Sequence, residues 1–275
     1  MADGGDEASL YNYKANVAAC VIFALAFGAS AGLYVWQAFV KAKAWFFTAF
    51  IVGSFMMTFG YIARAVSAKA PSSLGPYIAQ SLLILLPPSL YAATIYMCYG
   101  RVVRCTQRPE LSIISPEKVT KIFVIGDVIA FILQCSGGGM MAISGMGSIG
   151  EKILVFGLVV QLLFFGFFLY VSVKFTLRVR SNPAKVPGGP WKTLMRVLFG
   201  MAALIIFRCV YRIAEFVQGH DGYLVSHEAY MYLLDTLPML LVQLLFHKWR
   251  PYDMLYTTGS VLGSSESYVN LQERC

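Results

Sequence analysis

Charge is scarce in this chain. Asp, Glu, Lys and Arg make up 13% of its 275 residues, against about 25% in an ordinary soluble domain. That deficit excludes a water-soluble globule, and no stretch is long or polar enough for a separate soluble domain. Histidine is rarer still, with three residues. His220 and His227 share the segment HDGYLVSHE (220–228) with Asp221 and Glu228, all possible zinc ligands. His247 lies about 27 Å away along the last apolar run by the helical rise. It cannot complete their cluster, so no metal site is expected, and a hydrated connection is the simpler reading. No Ser/His/Asp arrangement suggests a hydrolase. The glycines of CSGGGMMAISGMGSIGEK (135–152) lack the Lys and Ser/Thr of a phosphate-binding loop, and no ATPase signature is present. They point instead to flexibility or close helix packing. There is no N-x-S/T sequon, and the acidic start MADGGDEASLYNY does not predict a cleavable signal peptide.

Apolar residues are abundant: 58% of the chain is hydrophobic and its mean hydropathy is +0.65. Runs near the 20 or so residues that span a bilayer recur at 16–40, 45–63, 77–98, 119–141, 153–174, 194–216 and 229–247. Backbone groups in lipid must be satisfied within their own segment. The expected fold is therefore all-α, a polytopic bundle of seven transmembrane helices. The expected division is a short extracellular N-terminus (1–15), the helical domain (16–250) and a cytoplasmic tail (251–275).

The net charge of +8 is unevenly distributed. Lys41, Lys43, Arg101, Arg104, Arg108, Lys118, Lys121, Lys174, Arg178, Arg180, Lys185, Lys192, Arg196, Lys248, Arg250 and Arg274 fall on one side of the bundle. The other side holds Lys14, Arg64, Lys69 and Lys152, with Arg208 and Arg212 left inside the sixth helix. The positive-inside rule then predicts the N-terminus outside and the C-terminus cytoplasmic. On this reading the positive charge sets topology and meets anionic inner-leaflet lipids; it does not bind nucleic acid. Cys20, Cys98, Cys135 and Cys209 lie in apolar runs, where thiols usually pack. Cys105 and Cys275 fall on the cytoplasmic side, so no disulfide framework is implied. Cys105 is a minor palmitoylation candidate.

Polar residues inside the runs carry the functional expectation. In LIIFRCVYRIAEFV, Arg208, Arg212 and Glu215 stand at i, i+4 and i+7 on one helical stripe. Each charge at bilayer depth costs several kcal/mol unless it finds a partner or water. Depths from the helical rise of about 1.5 Å per residue place Gln134, Gln161, Arg208, Arg212, Glu215 and Asp235 together in the outer half. Asp127 extends the stripe towards the cytoplasm. The functional reading is a polar cavity open to the outer leaflet. Arg208 and Arg212 would take a phosphate or carboxylate, and Asp127, Glu215 or Asp235 an amine. Tyr211, Tyr230 and Tyr232 are candidate lining residues. The structural reading pairs Arg208 with Asp235 and Arg212 with Glu215, fixing helix register without a ligand. Arg64 is expected to snorkel at the outer end of the second helix. Pro87-Pro88 and Pro238 are expected to kink theirs.

LLPPSLYAATIYMCYGR (85–101), IFVIGDVIAFILQCSGGGM (122–140), GEKILVFGLVVQLLFFGFF (150–168) and FRCVYRIAEFVQGHDGYLVSHEAYMYLLDTLPML (207–240) closely resemble the fungal RTA-like, or lipid-translocating exporter, family. The resemblance runs from about Tyr11 to Pro251. Its most specific patterns are D…Q…GGG in the fourth helix and R-x-x-Y-R-x-x-E in the sixth. It implies a non-enzymatic membrane protein that moves lipid-like amphiphiles, such as sphingoid bases, phospholipids or sterol-like compounds, and contributes to resistance against toxic lipids or drugs; one branch handles porphyrins. The plasma membrane is the expected location, no cofactor is expected, and the sequence sets no oligomeric state. Tyr34 stands where the family pattern has a histidine in the first helix, and Met57 where it has a glutamate in the second. A role carried by either group is absent or relocated here. Alternatives are a seven-helix receptor of a lipid ligand and an intramembrane lipid hydrolase. Against the common receptors, YGRVVR replaces DRY after the third helix and no NPxxY ends the seventh; the seventh also lacks the lysine of a retinal protein.

Overall fold

The computed structural model describes residues 16–41, 44–69, 74–106, 109–141, 143, 145–181, 191–218, 222–251 and 253–254. Among them are seven helices long and apolar enough to cross a membrane: α1 (Val17–Val40), α2 (Trp45–Lys69), α3 (Gly75–Cys105), α4 (Pro116–Met141), α5 (Gly147–Ser181), α6 (Trp191–Val217) and α7 (Glu228–Trp249). Most extend past the expected bounds because their terminal turns carry polar residues that reach beyond the lipid. α5 is the extreme case. Its 35 residues span roughly 52 Å, and its final turns bring Arg178 to donate to the Leu111 carbonyl at 3.2 Å.

α3 is the central helix, with 72% of its apolar window buried against 33% for α1, α4 and α5. Two aromatic groups surround it. On one side Phe50 stacks on Tyr91 and is itself packed by Tyr34, Phe47 and Phe246. Phe123, Phe165 and Phe168 enclose Tyr96 on the other. Lipid tails are as apolar as Leu, so close packing rather than water exclusion holds such helices together. α4 and α5 meet through glycines: a Cβ at Gly137 would lie 2.6 Å from the Gly150 carbonyl oxygen, and one at Gly126 would lie 2.4 Å from the Phe164 ring. The glycine-rich end of α4 is thus a packing device at Gly137, while Gly139 and Gly147 face open space.

The irregularity expected at Pro87-Pro88 is present. α3 breaks at Leu86, between helical stretches Leu74–Leu85 and Pro87–Cys105. Pro88 lacks the N–H that would bond the Ile84 carbonyl four residues earlier, so that acceptor is left for another donor. In α7 the turns before Pro238 widen into a π-helix over Met231–Thr236, a local irregularity often found at functional sites. α1 ends in a second π-helical stretch, Val35–Lys41. Cys105, at the end of α3, is buried, which withholds its thiol from acylation.

Candidate functional site

Four of the predicted residues form one ionic group where α6 meets α7. The i, i+4 spacing stacks Arg208 and Arg212 on one face of α6, and Asp235, in the π-helical turn of α7, receives both. Arg208 Nε lies 2.6 Å from Asp235 Oδ1, and Arg212 Nη2 lies 2.5 Å from Oδ2. Arg212 Nε also donates to Oδ1 at 3.0 Å, making that contact a fork. Arg212 Nη1 donates to Glu215 at 2.8 Å, and the Tyr211 hydroxyl reaches the same carboxylate at 3.4 Å. Arg208 Nη2 donates at 2.6 Å to the Ile84 carbonyl, the acceptor freed by Pro88. Two cations and two anions balance. The group also has depth: Arg208 is 1% exposed and Asp235 0%, whereas the side chains of Arg212 and Glu215 are 12% and 13% exposed. The edge that meets the surroundings is therefore Arg212–Glu215, and the Arg208–Asp235 pair is sealed behind it.

The expected convergence of the polar residues is corrected in two respects, and the expectation for Arg64 in a third. Gln134 Nε2 donates to Gln161 Oε1 at 2.8 Å, but this bond belongs to the α4–α5 interface and not to the ionic group. On that half of the bundle, Leu85, Leu154 and Leu158 pack with Ile213 and Phe216, so the α5–α6 contact there is apolar. Asp127 shares a buried face of α4 with Gln134 but faces Tyr96 and Cys209. Arg64 does not snorkel. It is buried and pairs with Glu228 at 3.4 Å, because Glu228 opens α7 at the level of the last turns of α2.

Glu228 also accepts from the backbone N–H of Asn16 at 2.9 Å and from the Tyr232 hydroxyl at 2.9 Å. It fastens the start of α1 to α7. His220 and Asp221 lie outside the described residues; His227 has its Nδ1 3.0 Å from the Tyr223 carbonyl. No group of three metal-ligating side chains occurs among the described residues. Tyr232 stacks on Phe23 at 5.1 Å and Tyr230 lies near Tyr223, so neither tyrosine joins the ionic group.

A second feature was missed from the sequence. α7 carries polar side chains along its length: Glu228, Tyr232, Asp235, Thr236, Gln243 and His247. Thr236 bonds the Tyr61 hydroxyl. Gln243 donates to the Tyr91 hydroxyl at 2.7 Å, and its backbone carbonyl accepts from Tyr34. His247 stacks on Tyr34 at 3.8 Å and lies 2.8 Å from the Ser30 hydroxyl. Tyr34 thus sits against an imidazole supplied by α7. The spacing of Gln243 and His247, one turn apart and two turns beyond Asp235 and Thr236, was the available signal.

A model for the family described as RTA1 like protein matches residues 50–258. The chain is 41% identical over 202 residues to protoporphyrin uptake protein 1 of Saccharomyces cerevisiae, covering 73% of this chain and 67% of that one. It is 36% identical over 272 residues to protein RTA1 of the same yeast, covering 90% and 85%. It is 25% identical over 267 residues to the sphingoid long-chain base transporter RSB1 of S. cerevisiae strain Lalvin EC1118, covering 83% and 68%. No solved structure matches the chain.

Proposed function

The chain belongs to the RTA1 like family, as an integral multi-pass membrane protein, and from that membership we propose that it carries lipid-like amphiphiles across its bilayer. The printed name of one relative, a sphingoid long-chain base transporter, supports a lipid substrate. That of another, a protoporphyrin uptake protein, supports an amphiphile with acidic groups. The observation that carries the reading is the half-sealed ionic group. An arginine and a carboxylate at its accessible edge offer both signs of charge to a headgroup, while the tail stays in lipid. Arg212 suits a phosphate or carboxylate, and Glu215 an amine; Tyr211 holds Glu215 in place. Arg208 and Asp235 form the fixed floor. No bond in the substrate is made or broken, so the protein acts as a carrier and not as an enzyme. We place the N-terminus and the Arg212–Glu215 edge on the outer side of the plasma membrane, and the basic connections against anionic lipids of the inner leaflet.

The test is transfer between leaflets in proteoliposomes of purified full-length protein, using fluorescent long-chain base and fluorescent phospholipid. At least one should move faster than in protein-free vesicles. Arg212→Ala should slow it about tenfold, the effect of losing one charge-assisted contact worth roughly 1.4 kcal/mol. Inactivity towards every probe would sink the proposal.

A further inference from the structure

Asp127 differs from every other carboxylate buried in the bundle. It is 4% exposed, and the hydrogen-bonding group that reaches it is the Tyr96 hydroxyl of α3; no ion pair to Asp127 occurs among the described residues. From α6 it faces the Cys209 thiol. α5 brings Phe164 against Gly126 and Phe165 and Phe168 against Tyr96, and none of these titrates. Arg208, next to Cys209 in the chain, is engaged by Asp235 and by the Ile84 carbonyl. Asp127 is 11 residues into the 26 of α4, close to 17 Å from its start and so near mid-bilayer.

An ionised carboxyl in such a place has one hydroxyl and no cation paired with it to offset its desolvation, and the general outcome is neutralisation. Asp235, at a comparable burial, is met by two guanidinium groups. One buried acid in this bundle is therefore answered by cations and the other by a hydroxyl. Intramembrane acids of the second kind carry protons in pumps and transporters.

We propose that Asp127 carries a proton in this conformation and is the site where proton movement couples to transport. The step is simple in chemistry. On uptake a carboxyl O–H bond forms at Asp127; on release it breaks when a conformational change brings the carboxylate to water on one side. Cys209 adjoins Arg208 in the chain and lies within electrostatic reach of Asp127 and Asp235. The ionic floor of the headgroup site and the proton site are thus neighbours on α6, a physical route for one to sense the other. This inference rests on the transport reading above.

Two measurements test it and separate its failure from that of the transport reading. The first is infrared spectroscopy of the purified full-length protein at neutral pH. The carbonyl stretch of a neutral carboxylic acid should be present in the wild type and missing in Asp127→Asn. Its absence from the wild type overturns the proposal whether or not any lipid moves. The second is movement of fluorescent long-chain base into proteoliposomes under an imposed pH gradient. The wild type should accumulate it up to about tenfold per pH unit for one-to-one coupling, Asp127→Glu should keep the response, and in Asp127→Asn any remaining movement should ignore the gradient. A wild type that moves lipid without regard to the gradient, or an Asp127→Asn that still responds, overturns it. A wild type that moves no lipid at all overturns the transport reading, and the infrared band then decides Asp127 alone.

Discussion

Both guanidinium groups of α6 end on the single carboxylate of Asp235, so the residues of the ionic group are not equivalent under substitution. Asp235→Ala strips the buried Arg208 of its carboxylate and leaves Arg212 with Glu215 alone, whereas Arg208→Ala leaves Asp235 with Arg212. Removing one partner of a buried pair costs roughly 3–5 kcal/mol. In melting curves of purified protein in detergent, Asp235→Ala should therefore fall furthest and Arg208→Ala less. The Arg208→Ala/Asp235→Ala double variant should fall short of the sum by about 0.5–3 kcal/mol. Strict additivity would show that the pair does not lock α6 to α7. Arg208→Lys should also destabilise, since one ammonium on a flexible stem does not reproduce a planar fork holding Asp235 and the Ile84 carbonyl together. The Arg208–Asp235 and Arg212–Glu215 pairings were legible in the sequence, because intramembrane charges must be compensated and helical rise fixes their depth. The Ile84 contact was not, because its acceptor is a backbone group of another helix, exposed only by Pro88. Arg64 was misread for a related reason: depth arithmetic put it near the boundary, and nothing in the spacing told that Glu228 would come over it.

Helix contacts were readable as composition but not as partners. The glycines of 135–152 announced close approach without saying which of them approach. Gly137 faces the backbone of Gly150 and Leu154, atoms that cannot swing aside as a side chain end does. Gly137→Ala should therefore push α4 from α5 and lower stability by about 1–3 kcal/mol. Gly139→Ala, two residues on and facing open space, should leave the melting temperature unchanged. Equal effects at the two positions would mean that helix propensity, and not contact, sets the response. The seven spans themselves followed from apolar length alone, since lipid permits no other backbone solution. Their internal irregularities divide by cause. The α3 break is a covalent consequence of Pro87 and Pro88 and was expected. The π-helical turns of α1 and α7 depend on which neighbours a side chain must reach, so no local signal marks them. The π-turn in α7 holds Asp235 and Thr236, which bond two different helices: Asp235 meets α6, and Thr236 meets Tyr61 of α2.

At the scale of the molecule, the asymmetry of charge and the asymmetry of the site run in the same direction. The end of the bundle that carries the α6–α7 connection holds few basic residues, and it is also the end towards which Arg212 and Glu215 open. The other end gathers the basic connections. Lys and Arg are generally retained on the cytoplasmic side during insertion, and the orientation proposed above follows from that pattern. The chain lacks an N-x-S/T sequon, which makes an introduced one an unambiguous reporter in a eukaryotic host. A sequon placed in the segment 1–15 should be glycosylated, and one placed at 182–190 should not. Mobility on a gel before and after deglycosylation reads the result. The reverse pattern would put the ionic edge on the cytoplasmic leaflet and overturn the proposed orientation.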